Sequence, residues 1–232
     1  EFLLACLKMV LESSVRPESI TPTALDAFKR VHIFDSSSWD IDPRLKHVLP
    51  GSGGGASDAN CKVQAGYEYK SGSLGFFTLT EGIKPDQAYS SRLVDFVEKG
   101  DLMLTDLGYF KLSVFQQITA KGAYFLSKLL IGTTLLNADT SEKIDLRATL
   151  RSFVGNTLEM NVIMGNDKHP VPCRLIGFRA TKQIADTRRR KLRKEAKKKG
   201  RTPSKNHLAL CDWTLFVTNA PSEILPVTIV FS

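Results

Sequence analysis

The stretch VHIFDSSSW, at residues 31–39, decides the fold because an apolar run of β-favouring residues ends there in an aspartate, Asp35. A second run, LMLT at residues 102–105, leads into Asp106 in the same way. A carboxylate at the end of a buried strand is costly unless another group compensates its charge. Two strands that bring carboxylates to one edge of a sheet are typical of a site for a hard divalent cation.

The apolar runs and turn residues around these aspartates predict the order of the elements. Strands are predicted at 31–35, 61–69, 74–80, 102–106 and 123–131, and helices at 86–100 and 114–120. The second and third strands form a hairpin and two crossover units follow, so the sheet is mixed and its first and fourth strands are neighbours. We therefore expect Asp35 and Asp106 to lie side by side, although 71 positions separate them.

Composition indicates a globular protein without membrane contact. The 232 residues are 42% hydrophobic and 24% charged, which is ordinary for a soluble domain. No apolar stretch approaches the roughly 20 residues of a membrane-spanning helix, and the first residues do not resemble a signal peptide. We expect a cytoplasmic protein. Because the first residue is not Met, we also expect the sequence to begin inside a longer reading frame.

Cysteine usage argues against a zinc module and against a disulfide framework. The four cysteines are widely scattered and no two of them form a CxxC pair. Reduced, buried cysteines are therefore expected.

The excess positive charge is concentrated in one segment. Residues 179–205 hold 13 Lys or Arg against two Asp or Glu, whereas the rest of the chain is slightly acidic. Such a concentrated run is the electrostatic footprint expected for a polyanion. Good helix formers between residues 188 and 201 indicate a basic helix, which could fold only on binding, and a disordered solvated tail is the alternative.

The ends of the chain and its middle are less regular. Helices are predicted at 2–12 and 24–30, and short runs rich in Val, Ile and Leu at 133–175 indicate a small β-rich lobe. A strand at 212–219 follows, and Pro221 with Glu223 predicts the start of a last helix.

Three blocks resemble the IS4 family of bacterial DDE transposases: FDSS at 34–37, GDLMLTDLGYF at 100–110 and WTLFVTN at 213–219. The resemblance covers residues 30–232. It implies an α/β fold, an RNase H-like mixed five-stranded sheet flanked by helices, with a β-rich, basic insertion before the last core strand. The implied division is N-terminal helices at 1–30, the first part of the catalytic core at 31–132, the insertion lobe at 133–207 and a return to the core at 208–232.

The resemblance also implies a chemistry. Asp35 and Asp106 would be the first and second catalytic acids and would bind two divalent ions, Mg²⁺ or Mn²⁺. One ion activates the attacking oxygen and the other stabilises the leaving oxygen of a phosphodiester. The implied partners are double-stranded DNA, as terminal inverted repeats and as target, and a second copy of the chain in a homodimer on that DNA. When bound to DNA, such a protein would be associated with the nucleoid.

The basic segment is predicted to contact the DNA backbone rather than to read bases. Its candidate DNA-binding residues are Arg188, Arg189, Arg190, Lys191, Arg193, Lys194, Lys197, Lys198, Lys199 and Arg201.

The third acid of the family, a glutamate on a helix with a Tyr, Arg, Glu and Lys pattern, is not recognisable here. We interpret Glu223 as a first-turn helix residue favoured by the helix dipole, and we expect the chain to stop before the catalytic glutamate. Three hypotheses therefore stay open: a DNA transposase that cleaves and transfers strands at insertion-sequence ends, a catalytically inactive DNA-binding remnant, and another RNase H-like nuclease.

Overall fold

The computed structural model describes Ala5, Met9, residues 25–53 and residues 57–230. The chain divides into two compact units, residues 1–126 and 127–232. The helix predicted at 2–12 lies outside the described residues apart from Ala5 and Met9. The helix predicted at 24–30 is wrong where it can be seen: residues 25–29 form a turn. The N–H of Lys29 donates to the carbonyl of Gly100 at 2.9 Å, so a tertiary hydrogen bond takes the place of a helical one.

The first unit is built on a mixed sheet. The strands are β1 (Val31–Asp40), β2 (Asn60–Glu68), β3 (Ser73–Glu81), β4 (Leu102–Thr105) and β5 (Tyr124–Lys128), of which the last begins in this unit. Their order in the sheet is β3-β2-β1-β4-β5. Antiparallel pairing joins β1 to β2 and β2 to β3, whereas β1 and β4 are parallel. The prediction of a mixed sheet in which the first and fourth strands are neighbours is confirmed.

The first strand is longer than predicted and does not end at Asp35. Its antiparallel register with β2 continues from His32 opposite Glu68 to Asp40 opposite Asn60. On the other side, β4 pairs with β1 only as far as Phe34 opposite Thr105. The three serines look like a loop in the sequence, but β2 supplies the hydrogen-bond partners that hold them in a strand.

Aromatic side chains fill the core of the first unit. The helices are α1 (Asp86–Leu93), continued by a 3-10 turn at Val94–Phe96, and α2 (Leu112–Ala120). The ring of Phe76 packs 4.5 Å from that of Phe96 and 5.7 Å from that of Phe34, measured between centroids. Phe115 of α2 stacks on Phe125 of β5 at 4.3 Å. The helix predicted at 86–100 ends earlier because Val97 is extended.

The elements of the second unit are β6 (Leu135–Asn137), α3 (Leu146–Ser152), β7 (Thr157–Met164), β8 (Val171–Arg179), α4 (Lys182–Lys198), α5 (Lys205–Leu210), β9 (Trp213–Thr218) and α6 (Val227–Val230). Its four strands pair antiparallel in the order β9-β8-β7-β6. A small cluster of Leu150, Leu158 and Trp213 lies in its core. None of the described helices has the length and apolar character needed to cross a membrane.

The buried side chain of Arg174 fixes the segment that follows β9. Its Nε donates to the carbonyl of Ala220 at 2.8 Å and its Nη2 to the carbonyl of Leu225 at 2.7 Å. Its Nη1 forms an ion pair with Glu159 of β7. One guanidinium thus joins β8 to β7 and to the chain after β9.

Two predictions differ from the structure here. The described residues form nine strands rather than five, because the runs at 133–178 pair as long antiparallel strands. The helix predicted to start at Pro221 is a turn over residues 222–224, and helix begins only at Val227. Three cysteines follow the prediction: Cys61, Cys173 and Cys211 are free and buried.

Candidate active site

Asp35 of β1 and Asp106, the residue after β4, lie side by side at the same end of two neighbouring parallel strands. The parallel pairing of β1 with β4 ends with Phe34 opposite Thr105. Each aspartate is the next residue after that last pair. Strand order alone predicted this proximity, and the register confirms it.

Both carboxylates are exposed and each is only lightly constrained. Oδ1 of Asp35 accepts a hydrogen bond from the N–H of Ser36 at 2.8 Å, and Oδ1 of Asp106 accepts one from the N–H of Gly108 at 2.8 Å. Among the described residues, neither Oδ2 atom has a hydrogen-bond or ion-pair partner. The strand predicted at 102–106 is one residue too long: β4 ends at Thr105, and the side chains of Asp35 and Asp106 are both exposed.

A third carboxylate, Asp86, lies beside Asp106 and was missed in the sequence. Oδ2 of Asp86 and Oδ1 of Asp106 both lie 3.1 Å from the position that a Cβ on Gly108 would occupy. A side chain at residue 108 would therefore press on both carboxylates. Pro85 and Asp86 look like an ordinary helix start in the sequence, and no spacing rule places that start beside Asp106.

Asp86 is held by two polar side chains of β2. Nζ of Lys62 lies 3.1 Å from its Oδ1, and Nε2 of Gln64 donates to the same oxygen at 3.0 Å. The nearby hydroxyl of Ser36 also lowers the pKa of Asp86. Burial by itself would raise the pKa of Asp86, but these hydrogen bonds and the charge of Lys62 lower it below its usual value.

Tyr109 completes this group of polar side chains. Its hydroxyl donates to Oε1 of Gln64, and its side chain is buried. Burial and then the negative charge of Asp86 raise the pKa of Tyr109. The raised pKa keeps the hydroxyl protonated, so it remains a donor to Gln64.

The donor atoms at Asp35 and Asp106 fit a hard divalent cation. Carboxylate oxygens are the preferred ligands of Mg²⁺, which is commonly held by one or two carboxylates. The free Oδ2 atoms supply one such ligand each. The part of the chain that the structure describes holds no group of three or more His, Cys, Asp or Glu arranged for a metal.

Glu223 lies in the turn between β9 and α6 and is exposed. Hydrogen bonds from its own backbone N–H and from Ser222 lower its pKa. It is therefore not the first-turn helix residue that the sequence predicted.

The predicted DNA-binding residues separate into two groups on α4. Nη1 of Arg188 donates to the carbonyl of Trp213 at 3.1 Å, and its Nη2 to Oγ1 of Thr214 at 2.8 Å. Arg189 forms ion pairs with Asp186, at 2.9 Å, and with Asp212. These two arginines hold α4 against β9 and the preceding residue, Asp212.

The other basic side chains are directed to solvent. The exposed group consists of Arg190, Lys191, Arg193, Lys194, Lys197, Lys198, Lys199 and Arg201. Ala185, Leu192 and Ala196, at helical spacing, lie on the more buried side of α4. Six of these side chains lie on the outer face of α4, and Lys199 and Arg201 follow its end.

Comparisons with known proteins point to one family. The transposase of the insertion sequence element IS231F of Bacillus thuringiensis subsp. israelensis is 28% identical over 243 residues, which cover 97% of this chain and 51% of that protein. The transposase of IS1151 of Clostridium perfringens is 30% identical over 214 residues, 85% of this chain and 45% of that protein. The chain spans about half the length of these curated relatives.

Among solved structures, endonuclease V of Ciona intestinalis bound to DNA covers 93% of this chain and 80% of its own at 12% identity. Its TM-score of 0.33 is too low to establish a common fold. The family model described as "Transposase DDE domain" matches residues 26–230. Because this match takes in most of the chain, including both aspartates, the chain belongs to the transposase DDE domain family.

Proposed function

We propose that this chain is the catalytic part of a DNA transposase that cleaves and transfers strands at insertion-sequence ends, with Asp35 and Asp106 as catalytic metal ligands. The observation that carries the proposal is the position of these residues, each directly after the last pair of a parallel ladder. Membership of the transposase DDE domain family supports the same chemistry.

The two carboxylates would hold divalent cations, Mg²⁺ or Mn²⁺, with two ions in the complete site. Such cations activate the attacking oxygen and stabilise the leaving oxygen of a phosphodiester. The backbone of the chain fixes the position of the two carboxylates, and the carboxylates supply the negative charge that attracts a cation. The N–H groups of Ser36 and Gly108 each hold one Oδ1 atom, which leaves the Oδ2 atoms free to bind.

DNA would be bound by the outer face of α4. Its exposed Lys and Arg side chains can neutralise phosphates along a duplex, which displaces counterions and gives affinity without base reading. Terminal inverted repeats and target DNA are the substrates that this function requires, and a homodimer would bring two ends together.

In architecture, we propose an RNase H-like core of the IS4 type. Residues 31–132 would form its first part, residues 133–207 the basic insertion lobe and residues 208–232 the return to the core. β1 contains Asp35 and β4 is followed by Asp106. The parallel pairing of these two strands supports the arrangement.

A metal-directed cleavage experiment tests the proposal on the chain as it is. Fe²⁺ with ascorbate and peroxide generates radicals at a bound cation, and these cut the nearby backbone. We expect fragments that end near residues 35 and 106, suppressed by excess Mg²⁺ and lost in Asp35→Ala and Asp106→Ala. Asp40→Ala, which changes an exposed carboxylate on the same strand, is the matched control and should keep them.

Cleavage scattered over the surface, or cleavage that survives Asp35→Ala, would contradict the proposal. The experiment also separates the proposal from a catalytically inactive DNA-binding remnant. A remnant without a working metal site would bind DNA through α4 and give no fragments at residues 35 and 106.

A further inference from the structure

Asp86 lies against the turn that carries one of the proposed metal ligands. A Cβ on Gly108, whose N–H holds Oδ1 of Asp106, would come 3.1 Å from Oδ2 and 3.5 Å from Cβ of Asp86. Ser36, the residue after Asp35, is near enough for its hydroxyl to lower the pKa of Asp86 and that of Tyr109. The start of α1 therefore packs on the turn after β4 and lies close to β1.

Gln64 makes this connection rigid. It is 1% exposed, its Oε1 accepts from Tyr109 and its Nε2 donates to Asp86 at 3.0 Å. A flip of the amide would place Oε1 against the carboxylate of Asp86, which can only accept, so the orientation of Gln64 is fixed. Because Tyr109 follows Asp106 by three residues, the same network fixes the turn that carries Asp106.

The positive charge of Lys62 is neutralised by Asp86. Its Nζ lies 3.1 Å from Oδ1 of Asp86 and donates to the carbonyl of Lys84 at 2.6 Å, and its side chain is only 12% exposed. Without Asp86, this ammonium would be partly buried and unpaired on the same side of the sheet. An unpaired positive charge near Asp106 would oppose the binding of a cation there.

We infer that Asp86 is a positioning residue for the Asp35–Asp106 pair and sets how tightly that pair binds a divalent cation. It acts in two ways: it supports the turn that carries Asp106, by packing on Gly108 and bonding Gln64, and it neutralises Lys62. Its own charge is matched by Lys62, so it supports the site from behind and does not ligate the ion. The inference rests on the proposed metal-binding role of Asp35 and Asp106.

The test is a Mn²⁺ titration followed by the electron paramagnetic resonance signal of the free ion. Loss of a hydrogen-bonding partner behind a metal ligand typically costs about tenfold or more in affinity. We therefore expect Asp86→Asn, which keeps the side-chain volume, to bind Mn²⁺ roughly tenfold more weakly. Asp95→Asn, at an exposed aspartate just after α1, should bind as the wild type does.

Two further variants distinguish the effect of Asp86 on the position of the metal ligands from its effect on the charge of Lys62. Lys62→Met added to Asp86→Asn removes the unpaired ammonium and should recover affinity to within about threefold of the wild type. Tyr109→Phe keeps the packed ring but frees Gln64, and should weaken Mn²⁺ binding by about threefold. Circular dichroism melting of each variant verifies that it is folded.

The outcomes distinguish the inference from the proposed function. If Asp86→Asn and Tyr109→Phe bind Mn²⁺ as the wild type does while Asp35→Asn has lost binding, the inference is overturned and the proposed function stands. If Asp35→Asn keeps full affinity, the proposed function itself is overturned. A double variant that binds no better than Asp86→Asn would overturn the part assigned to Lys62.

Discussion

Asp35 and Asp106 each stand one residue beyond the last pair of a parallel ladder, Phe34 opposite Thr105. One aspartate lies within a strand that continues to Asp40, and the other lies in the turn that follows a strand of only four residues. The difference in strand length leaves both carboxylates exposed at the same level of the sheet. The end of β4 at Thr105 therefore leaves the carboxylate of Asp106 accessible from solvent.

Gly108 should not tolerate a side chain without a loss of metal binding. A Cβ there would lie 3.1 Å from Oδ1 of Asp106 and 3.1 Å from Oδ2 of Asp86, which is tighter than ordinary contact. We expect Gly108→Ala to weaken Mn²⁺ binding by roughly five- to tenfold, or about 1 kcal/mol, in a calorimetric titration. Gly75→Ala, whose Cβ meets only the Gly66 carbonyl at 3.4 Å, is the control. Equal affinities in the two variants would contradict the prediction.

The two groups of basic residues on α4 should respond differently to mutation. Lys197→Ala with Lys198→Ala removes two exposed charges and should reduce the slope of log Kd against log salt by about two, with little change in stability. Arg188→Ala removes internal hydrogen bonds of an ionised group and should lower the free energy of unfolding by about 2 kcal/mol. DNA titrations at several salt concentrations and urea denaturation measure the two effects. A salt-insensitive interaction would count against DNA binding by α4.

Arg174 should be essential for the stability of the second unit. Its guanidinium is buried and bonds Ala220, Leu225 and Glu159 at once. Arg174→Ala leaves these groups without their partner and should cost about 3 kcal/mol of unfolding free energy. Arg174→Lys should restore little of it, because an ammonium lacks the planar fork. Urea denaturation, followed by the intrinsic fluorescence of the protein, measures the unfolding free energy of both variants. An unchanged unfolding free energy in Arg174→Ala would show that these contacts do not stabilise the fold.

Glu68 should make the first unit sensitive to acid. Burial alone would raise its pKa, but hydrogen bonds from Ser71 and from the N–H groups of Val31 and Lys70 outweigh this and lower the pKa from 4.5 to about 2. Because the folded-state pKa is depressed, the stabilisation is complete above pH 4.5 and is lost as pH falls from there towards 2. The loss amounts to at most about 3 kcal/mol.

The comparison of Glu68→Gln with the wild type measures this effect. The variant should be less stable at pH 7 and should lose less stability between pH 4.5 and 2. Glu81→Gln, on β3, is the matched control and should follow the wild-type pH profile. If Glu68→Gln also follows the wild-type pH profile, the carboxylate of Glu68 is not the source of the acid sensitivity.

The neighbouring positions of Asp35 and Asp106 could be predicted because they follow from strand order. Apolar runs at 31–34 and 102–105 are readable as strands, and the hairpin between them leaves few topologies. The length of β1 could not be predicted in the same way. Ser36 to Ser38 have no strand pattern of their own, and only the pairing with β2 makes them a strand.

Two features of the site depend on tertiary contacts and have no local signal. Asp86 looks like any acidic residue at a helix start, and its proximity to Asp106 comes from the packing of α1 on the sheet. The inward direction of Arg188 and Arg189 depends on contacts with β9 and with Asp212. In the sequence these two arginines cannot be told from the eight that face solvent.

The most direct test of the account is the affinity of Mn²⁺ for the wild type, Asp35→Asn, Asp106→Asn and Asp40→Asn, measured by calorimetric titration. Asn keeps the shape of each side chain and removes one charged ligand. The account predicts that Asp35→Asn and Asp106→Asn each lose most of the binding, by roughly 100-fold or about 3 kcal/mol, while Asp40→Asn binds as the wild type does. Unchanged Mn²⁺ affinity in Asp35→Asn and Asp106→Asn would contradict it.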